Sequence, residues 1–397
     1  MSGCSTFVMT ENRMKCIVYI PYKLEESGRA RMIRPRKMAQ AFRDIGYEVE
    51  LISGVSSERR SMIRDVKQQI AAGVKCDFLY MESNTEPTLL TDPHHLPTHP
   101  FLDYGFLKFV RSHGIPVGLF YCDMFWKYDF YGTELPAWKK QCALACYRYD
   151  IRQYEKLLNI FYCPNAKVFP ETIGSEKLGK IAKVLLPGAE DLPVPEASVR
   201  DFSEKPLTVF YVGGITRHYR IEELLKAVQM TEGTKLILCC RKDEWESERK
   251  VFEPYLCGRT EIVHKSGAEL EELYAQADLS ALMFQPNAYM GMTVPFKTFE
   301  YLAHELPILA TKGTVFGQFT EDNGIGWNIE NRAEVISGVL EEIQAKPALL
   351  QAKRERCAEV KQEHLWTARA KQVVGDLTPS GAAAPPPPEG GGKDSRT

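Results

Sequence analysis

Short runs rich in β-branched and aromatic residues alternate with segments of helical period through almost the whole chain. This alternation limits the possible folds more than any other feature of the sequence. A strand that must be followed by a helix before the next strand builds a parallel sheet with crossover connections, not a sandwich or a bundle. The first set of strand candidates is Lys15–Ile20, Val49–Ser53, Phe78–Ser83, Pro116–Cys122, Ile160–Cys163 and Val184–Pro187. The second is Leu207–Gly213, Lys235–Cys240, Glu261–Lys265, Leu279–Phe284 and Pro307–Thr311. Between them, Gly188–Pro206 carries internal prolines and scattered acids that suit neither a helix nor a central strand, which marks a linker. The expected fold class is therefore α/β, with two Rossmann-like domains in tandem. The expected boundaries are 14–190, a linker at 191–206, a second domain at 207–335, helices at 336–377 interrupted at Pro347, and a Pro- and Gly-rich disordered tail at 378–397.

Composition narrows the function classes. Of 397 residues, 44% are hydrophobic and 26% charged, enough to bury a core in each domain. Residues 1–190 hold 26 Lys/Arg against 21 Asp/Glu and the remainder 24 against 31, so the front half is the basic half. That excess is too small and too scattered for a nucleic-acid stripe; it leaves a local anionic ligand or a peripheral membrane contact as the candidate partner. The 11 cysteines form no CxxC pair and read as reduced thiols. With no apolar run near the length of a membrane span and no apolar stretch in Met1–Arg13, the expected location is cytoplasmic, at most peripheral at the inner face of the membrane.

Ligands of open α/β sheets bind beyond the carboxyl ends of the strands, so the residues just after each strand carry the functional information. Tyr211–Leu225 runs from a strand through Gly213 and Gly214 to a helix expected near Tyr219, with Arg217 and Arg220 at the same spot. Glycines that let a ligand approach, a helix N-terminus and two guanidiniums make a diphosphate cradle; the plain alternative is a strand–turn–helix junction with two surface arginines. In Val294–Thr311, a helix opening near Pro295 puts Lys297 and Glu300 on one face, i, i+3 apart. A cation suits a phosphate and a carboxylate accepts hydrogen bonds from vicinal hydroxyls such as those of ribose; the alternative is a solvated ion pair. No GxGxxG opens either half, which disfavours a nicotinamide-dependent dehydrogenase.

The run P-x-K-x-x-E-Y-L-A followed by P-I-L-A-T, behind a strand, a Gly pair and a basic loop, resembles the donor half of GT-B glycosyltransferases, in particular the family 4 type. The resemblance is specific in Leu207–Trp327 and architectural before it. It implies two Rossmann-like domains facing across a cleft, and transfer of a sugar from a nucleotide-diphospho-sugar to a glycan, lipid-linked or protein acceptor, in glycan or cell-envelope polysaccharide synthesis. It implies ribose recognition by Glu300, diphosphate contacts from Arg217 or Arg220 with Lys297 assisting, and a sugar-facing loop at Gln285–Thr293. It implies no cofactor and no metal ion, and retention as the favoured stereochemistry. One departure bears on the chemistry: Met292 stands where many family members carry a second glutamate. That keeps open a non-catalytic nucleotide-sugar-binding subunit or sensor, or a sugar-nucleotide epimerase of the same fold.

In the first half, Asp123 follows a buried strand among aromatics and is the candidate catalytic or acceptor-orienting carboxylate, with Asp129 in reserve and Trp126 and Tyr128 available to stack on sugar faces; the alternative is an Asp capping the next helix. His94 and His95, with His99, sit in a loop that reads as surface or as an acceptor-side general base, since no second ligand cluster supports zinc. Gly28 and Arg29 open a basic segment that borders the acceptor side in the resembled family, or forms a solvated face.

Overall fold

The structure is a computed structural model and describes residues 14–25, 30–194, 201–203, 205–216, 219–285 and 292–378. Two compact units divide the chain. The first holds the β1 region, Arg31–Leu185 and the residues from Ala370; the second holds Leu186–Arg369.

The first unit is a six-stranded sheet of β1 (Lys15–Ile20), β2 (Glu48–Ser53), β3 (Phe78–Glu82), β4 (Val117–Phe120), β5 (Ile160–Cys163) and β6 (Ala182–Val184). The order is β2-β1-β3-β4-β5-β6 and every pairing is parallel. Its helices are α1 (Ala30–Asp44), α2 (Ser56–Ala71), α3 (Leu102–Ser112), α4 (Ala137–Leu157), α5 (Val168–Ile173) and α6 (Glu176–Lys180). Residues of β1, β3 and β4 are buried throughout, as expected of parallel strands covered on both faces. Pro35 lies inside α1 and cannot donate to the Arg31 carbonyl one turn back; the Tyr22 hydroxyl donates to it instead, at 3.0 Å, and the helix continues.

The second unit repeats the plan with β7 (Leu207–Val212), β8 (Thr234–Cys239), β9 (Thr260–Val263), β10 (Leu279–Leu282), β11 (Ile308–Thr311) and β12 (Gly326–Ile329) in the parallel order β12-β11-β10-β7-β8-β9. Its helices are α7 (Glu222–Met230), α8 (Lys242–Phe252), α9 (Glu271–Gln276), α10 (Phe296–Ala303), α11 (Val315–Asp322), α12 (Ala333–Ala345) and α13 (Pro347–Glu363); α14 (Trp366–Leu377) follows, and its residues from Ala370 belong to the first unit.

Four local expectations need correction. β6 lies mostly before the predicted Val184–Pro187, because Ala182 and Lys183 pair with Phe161 and Tyr162 of β5. β12 was not anticipated; its four residues are a short edge strand beside β11 with little apolar signal. α7 opens at Glu222, not near Tyr219. The C-terminal helical stretch breaks at His364–Leu365 as well as at Pro347. There the His364 carbonyl accepts from Ala189 N at 2.8 Å and Trp366 N donates to the Ala189 carbonyl at 3.2 Å, so the backbone of the preceding segment takes groups a continuous helix would use internally. The last part of α14 then packs in the first unit, where a Cβ on Gly118 of β4 would meet Leu377 at 2.9 Å. The predicted tail beyond 378 and part of the predicted linker lie outside the described residues.

Candidate functional site

In the second unit the candidate residues collect where the strands end. The Tyr301 hydroxyl of α10 accepts from Val212 N, the last residue of β7, at 3.0 Å. Phe210 of β7 packs edge-on against the rings of Tyr274 and Tyr301, at 5.1 and 6.3 Å between centroids. These contacts seat α9 and α10 at the carboxyl edge of β7, one residue before Gly213. Glu300, on the preceding position of α10, is three-quarters shielded: it pairs with Lys297 and accepts from the Tyr274 hydroxyl at 3.0 Å. Tyr274 is stacked on His304 with 3.7 Å between ring centres, and His304 in turn contacts Glu271 at 3.0 Å. Burial, then the neighbouring Glu300 charge, pushes the Tyr274 hydroxyl far above its ordinary pKa, so it remains a donor. Burial raises the Cys239 thiol at the end of β8, and its hydrogen bond to the Lys265 backbone and the Lys297 and Lys265 charges pull it back. Lys297 and Glu300 share one face of α10 and pair with each other, as the i, i+3 spacing predicts.

The Gly213–Gly214 turn is more occupied than the sequence implies. Ile215 N donates to the Glu244 carboxylate at 3.3 Å, Tyr211 donates to the Gly214 carbonyl, and Glu244 also pairs with Arg241. The free helix N-terminus expected behind Gly214 is corrected on two counts. α7 starts eight residues later, and its first turn already carries Glu222 and Glu223, the latter accepting from Ala333 N at 3.0 Å. Arg220 is held by Glu222 and by Glu248 at 3.5 Å, over the Phe252 ring at 5.3 Å. Arg217 lies outside the described residues, as do most of Gln285–Thr293; Met292 is described and buried. The sequence reading missed Tyr274, Glu244 and Arg241. Only folding brings Glu244 to the Gly214 turn, 29 positions along the chain from Ile215.

In the first unit Asp123 is half-buried, and its carboxylate accepts from Phe125 N at 3.0 Å, capping the short turn at Phe125–Lys127. The local capping role is therefore present. Trp126 is not available to stack on a ligand. Its ring lies flat on Tyr147 at 5.1 Å and 7°, its Nε1 donates to Tyr121, and it is 9% exposed. Tyr128 stacks on Phe130 at 5.4 Å, and Asp129 is exposed. His94 and His95 are exposed and locally bonded, to Leu96 N and the Leu90 carbonyl at 3.0 Å each, while His99 contacts Ser56 at 2.9 Å. Among the described residues no group of three His, Cys, Asp or Glu side chains is placed to hold a metal ion. Gly28 and Arg29 lie outside the described residues.

The sequence gave no sign of a buried pair at the end of β3. Glu82 is buried beside Arg34 at 3.3 Å and accepts from Tyr80 at 2.7 Å; burial raises its carboxyl above the ordinary value. Arg34 lies over the Phe120 ring at 3.6 Å, which joins α1 to the tips of β3 and β4.

No family model and no curated protein matches the chain. Solved structures do. HepE of Anabaena in complex with UDP superposes with a TM-score of 0.59 at 12% identity, over 92% of this chain and 99% of that one. The same protein in complex with UDP-glucose gives 0.58 at 11% identity, over 91% and 98%. TarM gives 0.51 at 11% identity, over 80% of this chain and 58% of its own. The fold is GT-B. No helix among the described residues is long and apolar enough to cross a membrane.

Proposed function

We propose that the chain is a glycosyltransferase that moves a sugar from a nucleotide-diphospho-sugar to an acceptor, without a bound metal ion or cofactor. The observation that carries this reading is the Glu300 carboxylate, held by Lys297 and Tyr274 at the carboxyl edge of β7. The solved structures of HepE with UDP and with UDP-glucose support it.

Glu300 accepts hydrogen bonds from the ribose hydroxyls, and Tyr274 fixes its orientation. Lys297 lies one turn earlier on α10, where a diphosphate can exchange for part of its pairing to Glu300. The departing diphosphate gains negative charge as the glycosidic bond breaks, so fixed cations at that point lower the barrier more than they tighten substrate binding. Arg217 and Arg220 are assigned to the same group; Arg220 must first exchange Glu222 and Glu248 for phosphate oxygens. Asp123 in the first unit orients the acceptor hydroxyl if configuration is retained, the outcome we favour, or takes its proton if configuration inverts. We place the activity in glycan or cell-envelope polysaccharide synthesis, with a family 4 type of donor site.

The buried Met292 favours a second reading, a nucleotide-sugar-binding subunit without transfer, because an apolar side chain there cannot contact sugar hydroxyls as a carboxylate does. Calorimetry with UDP-, GDP- and ADP-sugars, followed by a search for transfer to acceptor pools, decides between them. Transfer with release of nucleoside diphosphate supports the enzyme, tight binding without turnover supports the subunit, and no nucleotide binding removes both.

A further inference from the structure

A second concave site lies wholly within the first unit. A pocket of about 410 Å³ opens between α4, the Phe125–Lys127 turn and the end of α5. Leu144, Ile151, Ile173 and Trp126 supply its apolar lining, and Lys127, Arg148 and Arg152 supply its charge. No carboxylate lines it.

No carboxylate among the described residues answers the charge of the two arginines. Arg148 and Arg152 stand one turn apart on α4, both exposed, with no ion pair or hydrogen bond among the described residues. Like charges at i, i+4 cost a few tenths of a kcal/mol in an isolated helix, so this arrangement does not serve the stability of α4. The acids of the same helix are engaged elsewhere: Glu155 accepts from Ser175 at 2.6 Å, and Asp150 is buried, accepting from Thr88 N at 2.8 Å. Lys127 is drawn to the pocket by two contacts, a hydrogen bond from Nζ to the Ile173 carbonyl at 3.1 Å and the Trp126 ring at 5.1 Å. Two guanidiniums and an ammonium beside an apolar lining form a recognition surface for a tetrahedral oxyanion attached to an apolar or aromatic body, since guanidinium forks match phosphate oxygens in pairs. The volume suits a small molecule and not a polymer segment.

We propose that this pocket binds a small molecule carrying a phosphate or diphosphate group, at a site separate from the nucleotide crevice of the second unit. The proposal does not depend on the glycosyltransferase reading, because every lining residue belongs to the first unit.

The test uses inorganic pyrophosphate as probe, titrated calorimetrically into the full chain carrying Lys297→Ala and Arg220→Ala, which weakens the diphosphate site proposed in the second unit. Three proteins are compared at one low ionic strength: this background, the background with Arg148→Ala and Arg152→Ala, and the background with Lys139→Ala and Lys140→Ala. The last pair removes the same charge from α4 outside the pocket. Loss of Arg148 and Arg152 is expected to weaken pyrophosphate binding by at least about tenfold, and loss of Lys139 and Lys140 by less than about twofold. Because neither arginine has an ion-pair or hydrogen-bond partner among the described residues, their removal is expected to leave the fold intact, which circular dichroism checks. Absence of pyrophosphate binding in the background, equal affinity after removal of the arginines, or an equal loss in both double variants overturns the proposal.

Discussion

Glu300→Ala is the substitution on which the donor-site reasoning stands. In the free protein the side chain makes a partly shielded i, i+3 pair with Lys297, worth a few tenths of a kcal/mol, and one hydrogen bond from Tyr274, worth about 1 kcal/mol. The variant therefore loses only about 1 kcal/mol of stability and remains folded. Binding loses far more if the ribose assignment holds. Two hydroxyl donors to a carboxylate contribute about 1.5 kcal/mol each at the low end of charge-assisted bonds, so about 3 kcal/mol and roughly two decades in Kd disappear. Calorimetric titration of UDP into wild type, Glu300→Ala and Glu300→Gln measures this directly. Gln keeps the shape and can still accept from Tyr274, so it isolates the charge and is expected to fall between the two. Melting temperatures measured in parallel separate loss of fold from loss of site. A folded Glu300→Ala that binds UDP as tightly as wild type refutes the ribose assignment, and with it the observation that carries the proposed function.

Other expectations follow from single contacts. Tyr274→Phe removes the hydrogen bond that orients Glu300 and is expected to weaken UDP binding by about fivefold to tenfold, read by the same titration. Asp123→Ala is expected to leave UDP affinity unchanged and abolish transfer, at a stability cost of about 1 kcal/mol from the lost turn cap; transfer at the wild-type rate removes Asp123 from the mechanism. Asp150 is buried, and that burial pushes its carboxyl up to about 7 from 3.8, so the folded state holds a proton that the unfolded chain releases first. The associated stability is fully present below pH 3.8 and is lost as pH rises through about 7, a swing of about 4 kcal/mol at 1.36 kcal/mol per unit. Asp150→Asn should flatten urea-unfolding stability across that window, and an unchanged slope would place the titration elsewhere. Gly118→Ala is expected to cost about 1–3 kcal/mol through overlap with Leu377 and Tyr162, and Leu377→Ala should recover part of it in a double-mutant cycle; additive losses would show that the two do not meet.

Much of the arrangement around Glu300 was legible because its grammar is local. The Lys297–Glu300 spacing works within one helix, the Gly213–Gly214 turn follows its own strand, and the apolar residues around Glu300 announce a half-buried face. What went unread is nonlocal. Glu244 lies 29 positions from the Ile215 N–H it accepts from, and Tyr274 lies 26 from the carboxylate it orients. Trp126 looked free for a ligand because nothing nearby in sequence shows that Tyr147 covers its face.

The chain's amino-acid order alone determined the alternation of strands and crossover helices, the division into two parallel-sheet units and the side chains available at each strand end, since period, turn chemistry and burial preference act over a few residues. Tertiary structure decided which of those side chains are already spent on one another. Arg220 is answered by Glu222 and Glu248, the Gly214 turn is backed by Glu244, and the last helix breaks where Ala189 takes its backbone groups. Those outcomes are settled by electrostatic and hydrogen-bond competition between segments far apart in the chain, and such competition has no period for a sequence to display.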